Sequence, residues 1–434
     1  MIHLRAIFKD LCPNCGNEID DERLQLKIPC SSCLPVPIGE LYKMRRKLNE
    51  MSFLESIADR LEEIGRLKNY RRLVELERKI EELNTFFKKI LGNDMWSAQR
   101  TWARRIFQNK SFSILAPTGV GKTVFAIIIS LYLASKERKK AYLVLPTTLL
   151  VRQVYEKAVN FAERAGIKSL SIAAYYTGLK PSEKKSVLEN IKNGKFDILI
   201  TTSSFLLRRF EYLSGTKFDL IVVDDVDAIL KSSKSIDKVL VLLGFKQEVI
   251  ECASRLIVLK RRIAINLRLK KSIPEDLSEE FNNLNKKVSD YLAKYSNEIG
   301  CLVVSTATGR PRGLRVKLFR ELLGFEIGSR SEFLRNISDL YVLVDDNLLD
   351  KLLEVINKLG RGGLVFVPVS KGVEYAQLIA DFLNERGIRA AVVHAKEKEA
   401  INDFIQGKID VLVGMAIYYG LLVRGLDLPH IIRY

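Results

Sequence analysis

The sequence predicts an α/β protein built on doubly wound parallel sheets, preceded by a small four-cysteine ribbon and a helical segment. Three observations carry this expectation. From about Met95 onward, short aliphatic and β-branched runs that end in Thr/Ser-rich turns alternate with amphipathic stretches of helical period, the pattern of parallel strands joined by helical crossovers. A glycine–lysine loop, APTGVGKT at 116–123, lies between an apolar strand and an apolar helix. Four of the six cysteines fall within the first 33 residues, in CPNC and CSSC.

The ribbon comes first, over residues 1–40. Cys12 and Cys15 are separated from Cys30 and Cys33 by fourteen residues, and two such knuckles can close a tetrahedral thiolate shell around Zn2+, with Gly16 easing the first turn. A segment this short has too little core to be stable without a staple. Two disulfides are the alternative staple. His3 is nearby, but four thiolates already complete a shell. Cys252 and Cys301 stand alone and read as buried apolar groups. Residues 41–92 read as a helical linker of one or two charged helices, folded as a hairpin, because Leu61, Ile64, Leu67, Leu73, Leu76, Ile80 and Leu83 recur at helical spacing. Its charges suit contact with DNA phosphates as well as they suit a plain solvated face.

Residues 93–332 form the first α/β domain. A strand at Ile114–Ala116 feeds the loop, where Gly119 and Gly121 allow backbone N–H groups to close around phosphate oxygens, Lys122 offers a cation and Thr123 a hydroxyl for Mg2+. The expected ATP contacts are Ala116, Pro117, Thr118, Gly119, Val120, Gly121, Lys122 and Thr123. In FDLIVVDDVDAIL, a strand at Leu220–Val223 ends in Asp224, Asp225 and Asp227, at the carboxyl end where open parallel sheets collect ligands. Asp224 is the expected Mg2+ carboxylate, acting through water, and Asp225 the group that orients or deprotonates the attacking water. KKAYLVLPTTLLVRQ, KFDILITTSSFLLRR and CLVVSTAT supply further strands that end in Thr/Ser-rich loops. A helical insert over about 231–298 carries the basic runs LKRR and RLKK, as well suited to DNA as to solvent. A second α/β unit, 333–434, has strands near Leu340–Val344, Gly363–Val369, Arg389–Val393 and Val411–Gly414.

A chain of 434 residues with 47% hydrophobic content can fill two or three cores. A formal charge of +18 suits a polyanionic partner, with nucleic acid foremost. Apolar runs such as Phe125–Ala134 fall well short of the ~20 residues that span a bilayer, and the first residues lack a secretory apolar region. The expectation is therefore a cytoplasmic protein without a membrane partner. Lys, Glu and Arg are abundant and Gln is scarce, at seven residues, a bias seen in hyperthermophiles.

With the glycine–lysine loop, DDVD, STAT and VRGLD in this order, residues 93–434 resemble a superfamily 2 helicase core. The resemblance implies two RecA-like domains with ATP between them and single-stranded nucleic acid across both. It implies that Gln99 reads adenine, that Thr147, Thr148, Arg152, Thr201 and Thr202 contact the strand, and that Ser305, Thr306, Ala307 and Thr308 couple hydrolysis to domain movement. It also implies that Gly420, Arg424, Gly425 and Asp427 form the second-domain motif near ATP. A four-cysteine ribbon, a DDVD box in place of the usual Asp-Glu pair, a helical insert before STAT, and GSRSEFLRNISDLY together resemble reverse gyrases more narrowly. That family joins such a half to a type IA topoisomerase half and introduces positive supercoils into DNA at the expense of ATP. The resemblance implies DNA and a type IA topoisomerase module as partners, the module in cis in a longer product or as a separate subunit. The second unit is expected to be truncated, because it stops just after RGLD and before the final motif with its arginine finger. The cleavage tyrosine is expected outside these residues, with weak ATP turnover from them alone.

Overall fold

A computed structural model describes residues 6–116, 119–224, 233–270, 272–306, 314–327, 341–344, 347–393, 399–416 and 431–434. The chain divides into two compact units, Met1–Lys110 and Ser111–Tyr434.

In the first unit, β1 (Ile7–Phe8) pairs antiparallel with β2 (Ile19–Asp20) and the two bracket the first knuckle. The Asp20 carboxylate accepts from Arg23 N at 2.8 Å and so caps α1 (Asp21–Gln25). Three helices follow where a hairpin is expected: α2 (Ile38–Lys47), α3 (Glu50–Glu63) and α4 (Tyr70–Leu91). The additional break arises at Asn49, whose side chain accepts from Ser52 N at 2.9 Å and starts α3 afresh. α4 stops at Gly92, which takes the left-handed φ of 80° that closes a helix. Of the periodic leucines and isoleucines, Leu61, Ile80 and Leu83 are buried, whereas Ile64 is exposed as the C-cap of α3. The ribbon and helices share one core, in which Cys12, Cys30 and Cys33 pack with Ile28, Leu34, Leu41, Phe53, Ile57 and Tyr70. α5 (Ser97–Phe107) completes the unit.

The second unit carries the parallel sheets. Strands β3 (Phe112–Leu115), β4 (Ala141–Leu145), β5 (Ile172–Ala174), β6 (Ile198–Thr202), β7 (Leu220–Asp224), β8 (Cys301–Thr306) and β9 (Glu326–Ile327) form one sheet in the order β5-β6-β4-β7-β8-β3-β9. Every neighbouring pair is parallel, so all carboxyl ends lie on one edge. The connecting helices include α6 (Lys122–Glu137), α7 (Thr148–Ala165), α8 (Pro181–Lys192) and α9 (Ser203–Arg208). Phe125–Ala134 is the buried length of α6, which explains its apolar run, and no described helix is long and apolar enough to cross a membrane. The insert is α10 (Ser233–Leu242), α11 (Gln247–Arg268) and α12 (Glu275–Tyr295). It is anchored, because Ile250, Leu256 and Val288 share a core with Phe218, Leu302 and Phe319, the last on α13 (Leu314–Leu323). The far end of α11 stays exposed, with Leu267 61% and Leu269 59% accessible.

Further along lie α14 (Leu348–Leu359), β10 (Gly363–Val367), α15 (Gly372–Glu385), β11 (Ala390–Val393), α16 (Glu399–Ile405) and β12 (Val411–Met415). The strands make a second parallel sheet, ordered β10-β12-β11, over a core of Ile356, Val367, Ile379, Leu383, Val411 and Val413. One expected strand is corrected: 341–344 is not a strand, and Tyr341 and Leu343 are exposed. An apolar run becomes a strand only where a neighbour supplies ladder partners, and none pairs with it among the described residues. The α/β class with parallel sheets stands as the sequence predicts.

Candidate functional site

The loop after β3 is shaped by two left-handed glycines, Gly119 at φ 85° and Gly121 at φ 81°, a backbone that a side chain would strain. Gly121 is the N-cap of α6, so the helix begins at Lys122 and its first N–H groups face the loop. Lys122 Nζ donates to the carbonyl of Ala116, which folds the ammonium over the loop. Burial holds this ammonium below its usual range, and Asp224 opposes that shift. Lys122, Thr123, Asp224 and Ser305 line one small cleft floored by Leu143, Leu145 and Val222. Parallel pairing sets Asp224 of β7 opposite Ser305 of β8, and Ser305 Oγ donates to Asp224 Oδ1 at 2.9 Å. A hydroxyl and a carboxylate in one cleft form an oxygen donor set that suits a hard cation such as Mg2+. The same cleft therefore offers a cation for phosphate, a site for metal, and a hydrogen bond to the strand leading into STAT.

The other expected contacts are distributed more widely. Thr147 Oγ1 accepts from Leu150 N and caps α7, and Thr202 Oγ1 accepts from Phe205 N and caps α9. Thr201 is buried, with Oγ1 2.7 Å from the hydroxyl of Tyr142. Thr148 opens α7, and Arg152 is exposed and paired with Glu156. Gln99 belongs to the first unit, buried in the first turn of α5, where its amide oxygen accepts from Trp96 N at 3.3 Å. Thr306 ends β8. Pro117, Thr118, Asp225, Asp227, Ala307, Thr308, Gly420, Arg424, Gly425, Asp427 and His3 lie outside the described residues.

The four cysteines converge. Their sulfurs all lie within 4.8 Å of one another, and Cys15 Sγ and Cys30 Sγ are 3.8 Å apart. A tetrahedron with ~2.3 Å zinc–sulfur arms has edges of about 3.8 Å, so the cluster fits Zn2+. All four are free thiols, which removes the disulfide alternative. Burial disfavours the Cys12 thiolate, yet backbone N–H groups of Cys30, Cys15 and Asn14 outweigh it and bring Cys12 down to about 7. Burial pushes Cys33 up to about 12. Of the two solitary cysteines, Cys301 is buried on β8 and Cys252 is half-buried against the same core.

Two residues around the knuckles are missed by the sequence reading. Asn14 is fully buried, donates to Arg66 O at 2.9 Å and accepts from Lys68 N at 2.8 Å, tying the first knuckle to the turn between α3 and α4. Arg23 is 5% exposed and donates to the carbonyls of Pro29, Leu34 and Val36 around the second knuckle. The only available signal was the position of Asn14 between two cysteines.

Two family models match parts of the chain. Residues 96–259 match the DEAD/DEAH box helicase family and residues 1–51 the reverse gyrase zinc finger. The chain is 46% identical over 433 residues to the reverse gyrase of Pyrococcus horikoshii, covering 99% of this chain and 26% of that protein. It is 43% identical over 432 residues to the reverse gyrase of Pyrococcus furiosus, covering 99% of this chain and 35% of that protein. The chain thus spans about a quarter to a third of the length of these relatives. Among solved structures, S. cerevisiae Dbp5 bound to a Gle1 variant and IP6 is similar in fold, with a TM-score of 0.50 and 16% identity over 81% of this chain and 77% of that one.

Proposed function

We propose, from the premise that this chain corresponds along its length to the N-terminal helicase-like region of reverse gyrases with its zinc finger, that it is an ATP-driven switch. The switch reshapes bound DNA for a type IA topoisomerase module, and the two together introduce positive supercoils. The observation that carries the reading is the cleft in which Lys122, Thr123 and Asp224 meet and Ser305 is bonded to Asp224.

Each group has a task that its position supports. Loop N–H groups and Lys122 take the β- and γ-phosphates of ATP. Thr123 and Asp224 hold Mg2+, which when bound offsets charge on the phosphates. Asp225, next in the chain, orients the attacking water. Ser305 senses the carboxylate of Asp224, so that a change in its charge environment is felt where STAT leaves the sheet. Thr147 and Arg152 belong to the surface that DNA crosses, whose backbone the buried Thr201 and the helix-capping Thr202 fix, Thr306, Thr308 and Arg424 serve nucleic acid and coupling, and Asp427 completes the nucleotide contacts. Four cysteines hold structural zinc, and their knuckles brace the helical segment.

Lys122→Ala in the enzyme that joins these residues to a topoisomerase module tests this reading. Positive supercoiling with ATP is abolished while DNA binding persists. Supercoiling at the wild-type rate removes the loop from the mechanism. Strand unwinding by these residues without any topoisomerase identifies a free-standing helicase instead.

A further inference from the structure

We propose that Tyr176 and Tyr155, with Arg152 beside them, form a stacking platform for the bases of single-stranded DNA at the carboxyl edge of the large sheet. The inference rests on the nucleic-acid reading above and deepens it, because it assigns base contact to side chains that no motif includes. β5 stands at one end of the strand order and finishes at Ala174, so Tyr175 and Tyr176 follow its carboxyl end. α7 starts just after the carboxyl end of β4, and Tyr155 lies on it three residues beyond Arg152, on the same face. The Tyr155 and Tyr176 rings are 6.4 Å apart at 40°, and both are half-buried.

The neighbouring tyrosine points the other way. Tyr175 packs its ring 4.9 Å from that of the buried Phe205, with the Arg209 guanidinium 5.8 Å from the Tyr175 centroid. That contact anchors the segment to the core and leaves Tyr176 beside Tyr155, each partly exposed. Arg152 is exposed and holds Glu156 at 2.7 Å, an exposed pair worth only a few tenths of a kcal/mol, which a phosphate readily displaces.

Meanwhile the motif threonines have little to offer a base: Thr147 and Thr202 cap helices, and Thr201 is bonded to Tyr142. Rings beside a cation match the way single strands are held, with bases on aromatic faces and phosphates on positive charge. Duplex DNA keeps its base faces stacked and gains nothing from such a surface. The +18 charge of the chain makes a polyanion the complementary occupant.

The test is fluorescence anisotropy of a labelled single-stranded oligothymidylate with the full 434-residue chain. Tyr176→Leu keeps an apolar side chain and removes the π-face. It weakens binding by about five-fold to a hundred-fold, the range for one lost base stack. Tyr176→Phe binds like wild type, the salt slope is unchanged because no phosphate contact is lost, and affinity for a blunt duplex does not fall. Should Tyr176→Leu melt early, Tyr155→Leu on the helix provides the same test. Equal oligonucleotide affinity of wild type and the Leu variants, or an equal loss for duplex, overturns the platform while the nucleic-acid reading stands. A wild-type chain that binds no oligonucleotide overturns both.

Discussion

Asn14 has no exposed surface, and its side-chain amide is spent on Arg66 and Lys68 rather than on solvent. It supports the knuckles through the backbone that carries Cys12 and Cys15 and through a side-chain hydrogen bond that favours the Cys33 thiolate, and removing such an outer support typically costs about 10–100-fold in metal affinity. Asn14→Ala is expected to release Zn2+ to a chelator correspondingly faster, whereas Cys12→Ala loses it stoichiometrically; unaltered metal content in the cysteine variant contradicts the site. At the nucleotide cleft, Ser305→Ala removes a hydroxyl donor to a carboxylate, a bond worth up to about 3 kcal/mol. Steady-state kinetics should then show a lower kcat at little-changed KM for ATP, because the lost bond touches Asp224 and not the phosphate cradle. An unaltered kcat would mean that the Asp224 contact is only packing. Among single residues, the loop and the cysteines were legible because their chemistry dictates their spacing. The threonines were legible only as positions. Whether a hydroxyl faces a ligand or caps its own helix depends on backbone geometry that the sequence does not spell out.

Elements whose pattern is local were readable. Strand ends at Leu115, Asp224 and Met415 fall within a residue or two of those expected, because a buried parallel strand is an apolar run closed by turn residues. The exception at 341–344 shows the limit, since the same composition without a pairing partner leaves Tyr341 and Leu343 exposed. The core shared by ribbon and helices was equally hidden, because it depends on contacts between residues 40 or more positions apart, such as Tyr70 Oη donating to Lys27 O. α4 contributes a further such tie: Glu77, 8% exposed, meets Lys27 Nζ and Arg104 Nη2, each at 2.7 Å. Glu77→Ala leaves Arg104 without this carboxylate and Lys27 with Glu50 alone. With both cations a third exposed, the expected loss is on the order of 2 kcal/mol in denaturant unfolding of this unit, moderated by solvent screening. A change of a few tenths would reduce the cluster to an ordinary surface pair.

For the whole molecule, composition limited the possibilities and motif order selected among them. The charge of +18 agrees with a DNA partner without specifying one, and alternating strands and helices specify parallel sheets without specifying chemistry. The motor reading needs a triphosphate gathered where α6, β7 and β8 present Lys122, Asp224 and Ser305. Calorimetric titration of a nonhydrolysable ATP analogue into the chain, with and without Mg2+, measures that requirement directly. Wild type is expected to bind saturably, more weakly when Mg2+ is withheld, and Lys122→Ala to bind about 10- to 100-fold less tightly, the scale of one hydrogen bond to a charged group. Binding of equal strength in the Lys122→Ala chain, or none in the wild type, would contradict the motor reading.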